Sequence, residues 1–263
     1  PRRVPALPDV DALRRLVPPA IQLVGAGLGL YGLREVPLVG RRRESSTLWT
    51  ALQRCRLQKG PQIAVIRGPA GTGKTRLARW IAQRADEVGS AEVLFVQHLA
   101  ESDSGLNDEL LDLVGGRGMK RDELGEQLTR WLAHRAIHDA YPSRAMLEIL
   151  WPADPDDRSR LVFSGPTERY SVLRTFLMAL VAEQVDEGIP RPLVLVLDDA
   201  QWGPDSLSLV RFLAAHPDGE LPLLVLLTVR EDALAEAPVA SELLDRIVDL
   251  DRCVEVPLPP LPD

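Results

Sequence analysis

Runs of adjacent apolar residues alternate along the chain with stretches in which apolar residues recur every three or four positions. The unbroken runs are QIAVIRG (62–68), AEVLFVQ (91–97), PLVLVLDD (192–199), LPLLVLLTVR (221–230) and RCVEVPL (252–258). Short and rich in Val, Ile and Leu, they predict strands, and the five apolar residues in a row from Leu193 to Leu197 read as one buried on both faces. The spaced pattern predicts helices over 44–57, with Leu48, Leu52 and Cys55 on one stripe, and over 74–89, with Leu77, Ile81 and Ala85. It predicts two more at PDSLSLVRFLAAH (204–216), opened by Pro204 and Asp205, and at SELLDRIVDL (241–250). Strands alternating with helices predict an α/β fold, a mostly parallel sheet with helices on both faces. A polar, helical region from about 98 to 190 interrupts the alternation. There the spacing predicts helices at 106–114, 122–139 and 167–187, and WPADPDDRSR (151–160) reads as a solvated loop. Residues 1–36 are rich in proline and glycine, with a short helical patch near DALRRL, and read as a linker or packed arm.

Composition narrows the class. The 31 basic and 38 acidic residues leave a formal charge of -7. An acidic balance does not suit general nucleic-acid binding, so no direct contact with nucleic acid is expected. Cys55 and Cys253 are far apart and form no metal or redox motif, which suits core or boundary thiols in a reducing, cytoplasmic compartment. PPAIQLVGAGLGLYGL is shorter than the roughly 20 apolar residues of a membrane span and is broken by glycine, so no membrane association is expected. Beginning at Pro1 and closing on PLPPLPD, the sequence reads as a piece of a longer protein.

Chemistry concentrates in two places. GPAGTGKT, Gly68 to Thr75, fits G-x-x-x-x-G-K-[ST] between a predicted strand and a predicted helix. Gly68, Gly71 and Gly73 let the backbone turn with its N–H groups inward. With Pro69, Ala70, Thr72 and the start of the next helix, including Arg76, they form an anion cradle. Lys74 brings a positive charge to the β- and γ-phosphates, and the Thr75 hydroxyl is a candidate Mg²⁺ ligand. The second place is LVLVLDDAQW, where a core strand ends in Asp198 and Asp199. A carboxylate at a strand tip beside such a loop holds the metal, here Asp198 through water. Asp199 is then placed to orient or deprotonate the water that attacks the γ-phosphate, the plain alternative being a loop or capping carboxylate.

LVLVLDDAQWGPDSLSLVRFLAAH resembles the Walker B segment and following helix of bacterial STAND ATPases, an AAA+-like branch of the P-loop proteins found in multidomain signalling and transcription-regulatory proteins. PLVGRRRESSTLWTAL resembles that family's opening motif, with Glu44 in the expected acidic place. ERYSVLRTFLMALVAEQ resembles the helix before Walker B, and LLVLLTVRED the sensor strand ending in Thr-x-Arg. The resemblance implies a three-layer P-loop NTPase with a five-stranded sheet in the order 5-1-4-3-2 over residues 37–257. It implies ATP or ADP with Mg²⁺ as ligands, Val39 and Arg41 beside the adenine, and Arg230 at the γ-phosphate. It further implies that 258–263 begin a linker to a lid. Its expected partners are ATP and other domains of the same longer chain (lid, sensor and effector), with ATP-dependent self-association. ATP over GTP rests on this resemblance, and no N-K-x-D guanine motif is evident.

Three readings follow. One is an ATP-hydrolysing switch module of a signalling or regulatory protein. Another is a nucleotide-gated scaffold with little turnover. The last is a DNA-acting AAA+ ATPase of replication-initiator type, which more often carries Asp-Glu than Asp-Asp. Other patterns carry less. GLGLYG (27–32) matches G-x-G-x-x-G but no helix pattern follows. His134 and His138, at helical spacing, lack the third ligand of a zinc site. His98 ends the second strand without a clear role, and Trp202 reads as a packing residue.

Overall fold

The computed structural model describes residues 38–58, 60–100, 105–158, 160–183, 191–216 and 221–261. The predicted arm at 1–36 and the GLGLYG motif lie outside the described residues. The elements run α1 (Arg42–Gln58), β1 (Gln62–Gly68), α2 (Lys74–Glu87), β2 (Glu92–Gln97), α3 (Leu106–Leu113), α4 (Arg121–Ala133), α5 (Ala140–Leu150), α6 (Pro166–Glu183), β3 (Leu193–Asp198), α7 (Pro204–Ala215), β4 (Leu223–Arg230), α8 (Pro238–Val248) and β5 (Cys253–Pro257). Two short 3₁₀ turns, Ala200–Trp202 and Glu231–Glu236, follow β3 and β4.

The strands form one sheet in the order β2-β3-β4-β1-β5, and each neighbouring pair is parallel. Read from the other edge, this is the predicted 5-1-4-3-2. The side-chain alternation of the inner strands divides the core in two. Leu193, Leu195 and Leu197 of β3 face one cluster with Ile63, Val65, Val225 and Leu227. Phe176 of α6, Leu207 and Leu213 of α7 and Leu244 of α8 cover that face. Val194 and Val196 face the other cluster with Ala64, Ile66, Leu224 and Leu226, covered by Leu48 and Leu52 of α1 and Leu77 and Ile81 of α2. Apolar residues on both faces are why these strands read as unbroken runs.

The region before β3 departs from its prediction. The helix expected over 122–139 stops at Ala133, and α5 follows after a turn. Ala136 stands at φ 60. The Ile137 N–H bonds the Leu132 carbonyl and the Ala136 N–H bonds that of Ala133. This is a left-handed helix stop of the kind glycine usually makes. The Asp139 carboxylate then caps α5 by accepting from the Tyr141 N–H. His134 and His138 are therefore not on one helix face. No cluster of His, Cys, Asp or Glu that could hold a metal occurs among the described residues. The described residues of the loop at 151–160 are exposed, as expected, apart from Ala153, and the loop is anchored at that point. Glu148, almost buried, accepts from the Ala153 N–H at 3.0 Å and pairs with Arg160 at 3.4 Å and Arg121 at 2.6 Å. No described helix is long and apolar enough to cross a membrane.

Candidate functional site

The parallel register collects polar residues at the C-terminal ends of the strands, where α/β sheets place their ligands. Gly68, the last residue of β1, lies opposite Arg230 of β4, and Gln97 of β2 lies opposite Asp198 of β3. The loop after β1 turns through Gly71 at φ 76 and Gly73 at φ 92, and α2 begins at Lys74. Both values lie in the left-handed region that glycine occupies without strain. Gly68 is needed for a different reason: a Cβ there would stand 2.4 Å from the Leu258 carbonyl oxygen. Beyond Gly71 and Gly73 a Cβ would meet nothing within 4 Å, so the cradle is open.

The two aspartates part company at the strand tip. Asp198 is buried, and its Oδ1 accepts from the Thr75 hydroxyl at 2.8 Å and the Thr228 hydroxyl at 2.6 Å. Thr228 also accepts from the Asp199 N–H at 2.9 Å, which anchors the turn out of β3. Asp199 stands at φ 52, a conformation that Asp tolerates better than most residues, and is half-buried. It precedes the 3₁₀ turn but makes no side-chain cap bond. Its Oδ1 instead accepts from the Gln201 amide at 3.2 Å, and the Gln201 Oε1 accepts from the Arg230 N–H at 3.2 Å. Buried Gln201 thus ties Asp199 to the end of β4.

Lys74 is buried, and its Nζ donates to the Gly68 carbonyl at 2.9 Å and the Pro69 carbonyl at 2.6 Å. Burial pushes its pKa below the ordinary lysine value, and the charges of Asp199, Asp232 and Asp198 oppose that shift. Behind the aspartates lies His98. Its Nδ1 is 3.2 Å from the Asp198 carbonyl oxygen and its Nε2 2.9 Å from the Ser206 hydroxyl. A carbonyl only accepts, so Nδ1 carries the proton and Ser206 donates to Nε2. The ring packs so closely on Gly203 that a Cβ there would come within 2.3 Å of it. His98 is therefore a buried brace beneath Asp198.

The remaining predicted residues spread around this centre. Arg41, at φ 54 and buried, donates to the Thr72 carbonyl at 3.2 Å and the Pro259 carbonyl at 2.5 Å, and pairs with Glu44 at 3.3 Å. It clamps the loop to the segment after β5. Val39 is 71 % exposed, and Arg76 lies exposed on the first turn of α2. Pro69 and Ala70 are exposed on the loop, and Thr72 closes it by donating to the Pro69 carbonyl at 3.0 Å. Arg230 pairs with Asp232 at 2.8 Å. Sequence reasoning passed over Gln201, Asp232 and the bracing role of His98. For Gln201 and Asp232 the only sequence signal was their position just after strands already read as functional.

The donor set fits the expected ligands. The hydroxyl of Thr75 and the carboxylate of Asp198 are hard oxygen donors already in contact, as Mg²⁺ requires. An open cradle with a buried lysine at its base suits a polyphosphate.

Among solved structures, the chain is similar to Cdc6p from Pyrobaculum aerophilum, at 17% identity and TM-score 0.45 over 89% of this chain and 49% of that one. A Walker-type ATPase, PABY2304 of Pyrococcus abyssi, is similar at 17% identity and TM-score 0.36 over 87% of this chain and 55% of that one. The E. coli MS115-1 HORMA:CdnC:Trip13 complex contains a chain at 13% identity and TM-score 0.40, over 84% of this chain and 63% of that one. The chain thus spans about half the length of the Cdc6p and PABY2304 chains. No curated protein matches it. The AAA ATPase domain family matches residues 37–226, which hold the cradle, both aspartates and part of β4. The chain belongs to the AAA ATPase domain family and is an ATPase.

Proposed function

We propose that this domain is the nucleotide switch of a larger signalling or regulatory protein of the STAND type, working by Mg²⁺-dependent attack of water on the ATP γ-phosphate. The observation that carries the catalytic part is the Thr75–Asp198–Thr228 hydrogen-bond chain, which joins the cradle to the tips of β3 and β4. The backbone of Gly68 to Arg76 holds the phosphates through its N–H groups, which every residue there but Pro69 carries. Lys74 leaves its carbonyl partners for the β- and γ-oxygens. Thr75 and Asp198 hold the metal, which when bound neutralises charge developing on the phosphate oxygens. Asp199 orients the attacking water and takes its proton. Arg230 stabilises the charge spread over the γ-phosphate. Val39 and Arg41 flank the adenine, a role compatible with the clamp of Arg41 on the loop.

The switch reading is supported by Gln201, which links Asp199 to the backbone at the end of β4. A change at the γ-phosphate thereby has a path to the elements after that strand. ATP shifts such a switch only as far as it binds one state better than the other. The helical segment at about 98–190 is then an insertion in the ATPase domain of 37–257, with further domains in the longer chain. Two measurements test this reading. Lys74→Ala should abolish binding of Mg·ATP and Mg·ADP in calorimetry. Undiminished binding by that variant would remove the cradle from the account. Tight, salt-sensitive DNA binding by the chain would favour the replication-initiator reading instead.

A further inference from the structure

The 3₁₀ turn after β4 carries an acid that the proposed chemistry does not use. The Asp232 carboxylate pairs with Arg230 at 2.8 Å, and Arg230 lies opposite Gly68 at the start of the cradle. Its charge also acts on Lys74. One carboxylate therefore engages the arginine at the strand tip and the field of the loop lysine. These are the groups that the outermost phosphate would need. Arg230 also keeps a buried Nε with no hydrogen-bond partner among the described residues, so its guanidinium is incompletely satisfied.

We propose that Asp232 is a specificity-determining residue that occupies the terminal-phosphate position as an internal anion and so weakens ATP relative to ADP. This rests on the reading of the cradle as an ATP site with Arg230 facing the γ-phosphate. The register argues for the placement. Gly68 and Arg230 are paired across β1 and β4, and Lys74 reaches back to the Gly68 and Pro69 carbonyls. The strand side of the loop is thus where Lys74, Arg230 and Asp232 converge. The helix side, with the N–H groups of Thr72 to Thr75, is left to the inner phosphates. A diphosphate fills the helix side and leaves the Asp232–Arg230 pair intact. A triphosphate must break that pair and approach a like charge. The hydrogen bond from Arg230 holds the Asp232 carboxyl below the usual carboxylate range, so it is charged at neutral pH. Both side chains are solvent-accessible, so exchange of partners needs no opening of the core.

The test is calorimetric binding of Mg·AMP-PNP and Mg·ADP to the chain carrying Asp232→Asn, which keeps an acceptor for Arg230 but removes the charge. Asp232→Ala serves as a second variant, and thermal melts monitored by circular dichroism report folding. Both variants should tighten AMP-PNP by roughly three- to tenfold, the scale of one partly screened charge, and change ADP less than about twofold. The AMP-PNP difference should shrink as salt is raised. An unchanged or weakened AMP-PNP affinity in folded variants, or equal tightening of both nucleotides, would overturn the role of Asp232 while leaving the cradle intact. Failure of the unaltered chain to bind either nucleotide would overturn the ATP-site reading and this inference with it.

Discussion

At the scale of single residues, the site depends on side chains that touch no phosphate in the proposed complex. Gln201 spends both ends of its amide on Asp199 and the Arg230 N–H. Gln201→Leu should lower turnover roughly 10-fold or more, as loss of an orienting partner commonly does, while nucleotide affinity stays within about twofold. Steady-state hydrolysis with parallel titrations checks this, and native turnover would deny Gln201 a positioning role. His98 gives a pH signature. Burial lowers its pKa, and the hydrogen bond and charge of Asp198, then the charge of Asp199, only partly oppose that. The unfolded chain therefore binds the proton more readily than the folded one. Stability from neutral His98 is fully present above its unfolded pKa, near 6.5, and is lost as pH falls from there through the lower folded pKa. The urea midpoint of the unaltered chain should fall more steeply between about pH 7.5 and 5.5 than that of His98→Gln. Parallel curves would contradict a buried neutral histidine.

At the scale of elements, the inner strands β1, β3 and β4 were legible because burial on both faces leaves a dense apolar signature, and the cradle because its glycines answer to backbone geometry. Asp198 stood out as a charge ending such a strand. The stop of α4 was not legible. Ala136 takes the left-handed position that glycine normally marks, inside a run of good helix formers. Gln201 and Asp232 were hidden because a polar residue after a strand reads as ordinary loop, and only the packed register shows what it reaches. The helical region before β3 has its own polar anchor in Glu148, which holds α4, α5 and the loop at 151–160 together. Arg121 is partly solvated, so the ion pair alone is modest. Glu148→Ala also strands the Ala153 N–H, and the two losses should cost roughly 2 kcal/mol in urea denaturation. A change below about 0.5 kcal/mol would mean that the loop is held by other contacts.

At the scale of the molecule, sheet order sets function. β1 and β3 flank β4, so the cradle, Asp198 and Thr228 meet at the C-terminal end of the sheet from segments far apart in the chain. The central claim is that this meeting point hydrolyses ATP with Asp199 handling the water. Single-turnover hydrolysis of radiolabelled ATP by the unaltered chain and by Asp199→Asn tests it most directly. The unaltered chain should convert bound ATP to ADP and phosphate, and Asp199→Asn should bind ATP comparably but convert it roughly 100-fold more slowly or worse. Hydrolysis by Asp199→Asn at the native rate would contradict the account, and so would ATP that stays bound and intact for hours on the unaltered chain.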